Sequence, residues 1–163
     1  MKPQTLHGII LTAAILGLAL AIFATLETID PALQSACSVD PIFSCGAVTS
    51  SGHTTIFGIP DWSIGLAGFV LLVGLDVPLY RTWKRPYLAG VLALSAIGLG
   101  LSLYLAYVEV FVIGHVCPVC LGTYIANGFV LAAALGLWLK GKDPHEETTA
   151  ATSASSAAAG ADV

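Results

Sequence analysis

Residues 117–140, CPVCLGTYIANGFVLAAALGLWLK, decide how the rest of the chain is read. From about Val119 to Leu139 this stretch contains no charged side chain. A helix rises about 1.5 Å per residue, so about 20 such residues cross the roughly 30 Å of hydrocarbon in a bilayer. The same stretch opens with two cysteines at C-x-x-C spacing, Cys117 and Cys120. A membrane span and a reactive sulfur pair are therefore written into one segment, with the pair at its mouth.

Three more segments have the required length and apolarity: about His7 to Thr25, about Trp62 to Tyr80, and about Tyr87 to Val108. The composition agrees, with 56% hydrophobic residues, 10% charged residues and a mean hydropathy of +0.88 over 163 residues. Soluble domains carry about 25% charged residues, so this chain is too poor in charge to coat a water-soluble globule. Small residues such as Gly65, Gly68, Gly90, Gly98, Gly100, Ala132 and Ala133 are expected to let the spans approach closely. The fold class expected is an all-α membrane protein, a four-helix transmembrane bundle over residues 1–142. The first apolar stretch is longer than the 7–15 residues usual in a cleaved signal and reads as a retained span. Residues 143–163 (DPHEETTAATSASSAAAGADV) are rich in Ala, Ser and Thr and are expected to be a disordered tail without chemistry.

Lys and Arg in short loops mark the cytoplasmic side. Lys2 precedes the first span, Arg81, Lys84 and Arg85 fill the loop between the second and third, and Lys140 and Lys142 follow the fourth. Residues 26–61 and 109–116 contain neither Lys nor Arg. Both termini are therefore expected in the cytoplasm of a multi-pass plasma-membrane protein. A net charge of -4 with no basic cluster argues against a nucleic-acid partner.

All 4 cysteines, Cys37, Cys45, Cys117 and Cys120, then fall on the outer, oxidising face. Two structural disulfides are one reading. A four-cysteine zinc site is another, but seven residues separate Cys37 from Cys45, too many for a zinc knuckle. The C-x-x-C at a helix start favours a redox pair, because unsatisfied N–H groups and the helix dipole stabilise thiolate there. Two dithiol pairs on one face suggest a relay by thiol–disulfide exchange. The sequence carries no haem, iron–sulfur or nucleotide motif, so a lipid-soluble quinone reaching Cys120 is the electron acceptor this geometry allows.

These motifs resemble the vitamin K epoxide reductase family, in particular its bacterial and archaeal members that drive disulfide formation in exported proteins. The resemblance spans about residues 8 to 140. It rests on the C-x7-C of Cys37 and Cys45, Ser51 six residues beyond, the segment Phe57-Gly58-Ile59-Pro60, and Cys117-Pro118-Val119-Cys120 followed by Thr123, Tyr124 and Asn127. The bacterial quinone-linked disulfide oxidases also have four helices and two cysteine pairs, but carry C-x-x-C in the first outer loop. The resemblance implies a quinone pocket near the outer surface, capped by a helix in the first outer loop. It implies Cys120 beside the quinone and Cys117 as its exposed partner. Cys45 would exchange with Cys117, Cys37 would meet a thioredoxin-like exported protein, and Ser51 would assist. Phe57, Asp61 and Tyr124 fall at or near the positions that line the family's pocket. The quinone would be of menaquinone, ubiquinone or vitamin K type. Asp61 stands where some members carry Asn, and an ionised carboxylate cannot donate to a carbonyl, so capping the second helix is its alternative role.

The remaining polar residues are assigned plainer roles. His53 and His115 are loop histidines near the thiols, Glu27 and Glu109 are expected as interfacial anchors, and Asp76 is expected to pair with Arg81 or Lys84 or to snorkel. Phe43 and Trp62 belong to the pocket cap or to an interfacial belt. Two other functions use the same features: reduction of a quinone epoxide, or a non-enzymatic four-helix scaffold with structural disulfides. Any thioredoxin-like partner is expected to be a separate chain.

Overall fold

A computed structural model describes residues 3–38, 42–51, 55–56, 58–82 and 84–140. Four of its helices are long and apolar enough to cross a membrane. In chain order, helix α1 (Pro3–Glu27) is followed by two short helices, α2 (Pro31–Cys37) and α3 (Cys45–Ser50). Strands β1 (Thr55–Ile56) and β2 (Ile59–Pro60) form a minimal antiparallel pair that leads into α4 (Asp61–Thr82). Helix α5 (Arg85–Tyr107) continues as a π-helical turn (Val108–Ile113), and α6 (Pro118–Lys140) completes the bundle. The third span is thus longer than its apolar run suggested, since residues 109–113 stay helical instead of forming a loop.

The packing follows a ring. Helix α1 lies along α6 and α4, and α5 closes the ring against the same two. At its centre sit Ile10, Ala14, Leu72, Val91, Val130 and Ala134, all buried, whereas Leu16, Leu103, Phe129 and Leu139 point outward. Apolar side chains on both faces are what a lipid-embedded helix requires, because hydrocarbon solvates the outside as well as the core does. The protein is a multi-pass membrane protein, an all-α four-helix bundle.

Some glycines act as expected. A Cβ on Gly17 would collide with the Phe69 ring, one on Gly122 would stand 2.9 Å from Leu20, and one on Gly98 would stand 2.9 Å from the Asn127 amide. Gly65, Gly68 and Gly100 do not: a Cβ there would meet no atom within 4 Å. Gly65 and Gly68 instead line a cavity between the helices, and their missing side chains contribute to its space.

The basic side chains Arg81, Lys84, Arg85 and Lys140 sit at the ends of α4, α5 and α6 away from the cysteines. Near that same end, Asp76 is fully buried and pairs with His7, whose Nδ1 lies 3.2 Å from its Oδ1. The expected pairing with Arg81 or Lys84 is therefore replaced by a His7–Asp76 pair inside the bundle. The reason is rotational: the α4 face that carries Asp76 is the one packed on α1, where His7 is the available polar group.

Candidate active site

Local sequence builds the outer cap. Asp30 caps α2 by accepting the Ala32 N–H at 2.9 Å, with Pro31 at the first helical position. Ser44 caps α3 by accepting the Ala47 N–H at 3.3 Å. These stops place Cys37 at the end of α2 and Cys45 at the start of α3, with Cα atoms 5.7 Å apart, and the two are disulfide-bonded. Cys117 and Cys120 are free thiols.

The cap is laid onto the mouth of α6 by backbone. Phe43 and Val116 form a parallel bridge, with the Ser44 N–H donating to the Val116 carbonyl and the Val116 N–H to the Ile42 carbonyl. The bridge sets the start of α3 beside the start of α6, where the Cys45 and Cys117 sulfurs stand 3.3 Å apart. Cys117 immediately precedes α6, Pro118 occupies the first helical position, and the Cys120 N–H donates to the Cys117 sulfur at 3.3 Å. Sulfur here takes the place of a capping oxygen, satisfying one of the helix's first N–H groups.

Glu109, expected as a surface anchor, is the centre of this end of the molecule. It is 2% exposed. One carboxylate oxygen accepts the Cys117 N–H at 3.1 Å and the other accepts the Tyr124 hydroxyl at 2.8 Å. Its carbonyl takes the N–H of both Gly114 and His115. The π-helical turn, a rare insertion often found at functional sites, carries Glu109 into this position, and Gly114 at φ 73° ends it. That left-handed backbone is strained for any side chain and most for a β-branched one. Gly114→Val is therefore expected to destabilise the protein by about 2 kcal/mol, read as a lower thermal midpoint in detergent. An unchanged midpoint would mean that the turn tolerates the residue.

Below the sulfurs lies a largely apolar cavity of about 480 Å³. Cys120, Tyr124, Asp61, Glu27, Trp62 and Asn127 line it; Cys117 does not. Glu27, the other expected anchor, is buried, and its Oε2 has no hydrogen-bond partner among the described residues. Asp61 interacts electrostatically with Glu27, Glu109, Cys120 and Tyr124. The volume suits a ring-sized apolar ligand with a few polar groups at one end.

The model of the vitamin K epoxide reductase family matches residues 8–135. The chain belongs to that family. Membership supports an oxidoreductase in a family associated with quinones, and the cavity beside Cys120 has the size of a ring-sized ligand. Cys120 lies on the cavity wall and Cys45 lies against Cys117. Cys117 is not exposed: at 1% accessibility it is covered by the cap, so its access is through the Cys45 sulfur. Cys37 is also buried.

Ser51 stands past the far end of α3 from Cys45, about 9 Å along a six-residue helix, and its hydroxyl donates to the Val48 carbonyl at 2.7 Å. Asp61 lines the cavity and accepts the Trp62 N–H at 2.8 Å at the start of α4. Tyr124 lines the cavity as expected, but its proton is directed to Glu109. Phe57 and His53 lie outside the described residues, as does the expected tail at 143–163. His115 turns its Nδ1 to the Ile113 carbonyl at 3.2 Å. Three sulfurs, those of Cys37, Cys45 and Cys117, lie within 4.8 Å of one another, and because two share a disulfide, only one is a thiol in this state. Sequence reading missed Glu109 because a lone carboxylate at the end of an apolar run looks the same whether it faces headgroups or the protein. The one available signal was its spacing from Gly114 and Cys117.

Proposed function

We propose that the protein is a membrane thiol oxidase that passes electrons from a reduced thioredoxin-like exported protein to a quinone. The observation that supports this best is the 3.3 Å approach of Cys45 to Cys117 at the head of a helix whose next cysteine lines the cavity. In the forward reaction, a partner thiolate attacks Cys37 and, through a mixed disulfide, leaves with its own disulfide formed and the loop pair reduced. Cys45 then attacks Cys117 of the Cys117–Cys120 disulfide. Cys37 resolves the Cys45–Cys117 intermediate, restoring the loop disulfide and leaving both helix-head thiols reduced. The dithiol gives two electrons and two protons to the quinone, re-forming its disulfide and yielding the quinol. In this scheme, a bonded loop pair beside a helix-head dithiol is the state that precedes the quinone step.

In this reading, residues 1–142 are the catalytic unit in the plasma membrane, with both termini cytoplasmic and the sulfurs on the outer face. Asp61 and Tyr124 contact the quinone at the polar end of the cavity, and Ser51 assists exchange from the cap. Because Cys37 is buried, the partner reaches it when α2 shifts. The test compares electron donors. Wild-type protein should reduce a quinone with either a reduced thioredoxin-like protein or a small membrane-permeant dithiol. Cys37→Ala should lose the protein donor, falling at least about 100-fold, and keep the small dithiol. Equal loss with both donors would refute the entry role of Cys37, and a wild type inert towards quinone would refute the whole reading.

A further inference from the structure

The quinone step moves two protons as well as two electrons, and of the thiols that supply them Cys117 is buried and Cys120 half-buried. Cys117 is 1% exposed, the cap covers it, and the cavity beside Cys120 is largely apolar. Thiol protons therefore need an acceptor inside the protein. Among the described residues, Glu109 joins the cysteine pair to the cavity wall. It holds the Cys117 N–H through one oxygen and the cavity-lining Tyr124 hydroxyl through the other, and the Cys120 N–H in turn donates to the Cys117 sulfur.

Resting on the quinone-reductase reading above, we propose that Glu109 is the internal base that carries thiol protons to the bound quinone by way of Tyr124. The Cys120 S–H bond breaks as its proton passes to a Glu109 oxygen. Tyr124 gives its hydroxyl proton to a quinone oxygen and takes the proton held by Glu109, so both side chains return to their starting forms. The Cys117 proton follows by the same route. Over the cycle two S–H bonds are lost and one S–S bond forms. The two electrons and two protons appear in the two O–H bonds of the quinol.

The alternatives on neighbouring elements are less well placed. His115 directs its Nδ1 at the Ile113 carbonyl. Asp61, on α4, engages the Trp62 N–H at the start of its helix, and the Glu27 Oε2, on α1, has no hydrogen-bond partner among the described residues. Glu109 is also fixed as a relay should be, because its backbone carbonyl is gripped by two N–H groups and its carboxylate by two donors. A carboxylate held this firmly keeps one distance to both ends of the path.

The test uses the full chain in lipid nanodiscs, a small dithiol as donor and a short-chain quinone as acceptor. Glu109→Gln should lower kcat about 100-fold, the scale of general acid–base catalysis, with little change in the KM for quinone. Glu109→Asp, which keeps a titratable carboxyl, should recover to within about tenfold of wild type. Tyr124→Phe, which breaks the path at its next link, should fall comparably to Glu109→Gln and keeps the inference testable if the Gln variant does not fold. Glu109→Gln or Tyr124→Phe at near wild-type kcat would overturn the relay. So would Glu109→Asp as inactive as Glu109→Gln in folded protein, since that pattern marks a purely structural role. A wild type that reduces no quinone would overturn the parent reading instead.

Discussion

Replacing Cys117 or Cys120 with alanine is expected to remove quinone reduction, lowering it by at least about 10³-fold with any thiol donor. The two variants should fail at different points. Without Cys117, the loop disulfide loses the sulfur 3.3 Å away and electrons stop at Cys37 and Cys45. Without Cys120, Cys117 can still attack the loop disulfide, but no thiol lines the cavity to complete the transfer. The Cys45–Cys117 mixed disulfide should then accumulate, with Cys37 left as a free thiol. Quinol formation followed optically measures the loss, and thiol labelling before digestion identifies the trapped pair. Full activity after either substitution would mean that the electrons take another path.

The second large effect is expected far from the sulfurs. His7→Ala should destabilise the bundle by about 3–5 kcal/mol, because it leaves the buried Asp76 carboxyl without its partner at 3.2 Å. This cost is hard to escape, since Asp76 is 0% exposed and bulk solvent does not reach it to replace the imidazole. Replacing both residues with leucine is expected to recover most of that loss, as well-packed apolar pairs often match a buried ion pair. Asp76 and Asp61 lie fifteen positions apart on α4, about 22 Å along the axis. The folded fraction of each variant should therefore retain its rate per molecule. Unfolding in mixed micelles of increasing denaturing detergent measures the stability. A His7→Ala midpoint equal to wild type would show that the pair contributes no net stability.

How much of this was legible beforehand differs from residue to residue. The four spans were readable because a bilayer imposes a length and an apolarity that composition alone can satisfy or violate. The α6 start was readable because Pro118 and the C-x-x-C mark a helix mouth in the chain itself. Gly65 and Gly68 show the limit of that kind of reading. Small residues signal closeness to something, and only the packing says whether it is another helix or an open cavity. Glu27, Glu109 and Asp76 show it more sharply, since all three were expected at the interface or beside a basic loop and all three are buried.

By itself the sequence determined the solvent, the number of spans, the separation of the cysteines from the basic residues and the chemistry that C-x-x-C at a helix head allows. These are properties of composition and of short-range spacing, and each follows from local rules. Only the tertiary structure decided which sulfur meets which, because the Phe43–Val116 bridge joins segments more than seventy positions apart and no local pattern sets its register. It alone turned Glu109 inward, since a π-helical turn changes the face a side chain occupies without changing the apolar pattern around it. A helix that lipid accepts on every side carries little information about its own rotation, and in this bundle that rotation places the carboxylate between the thiols and the cavity.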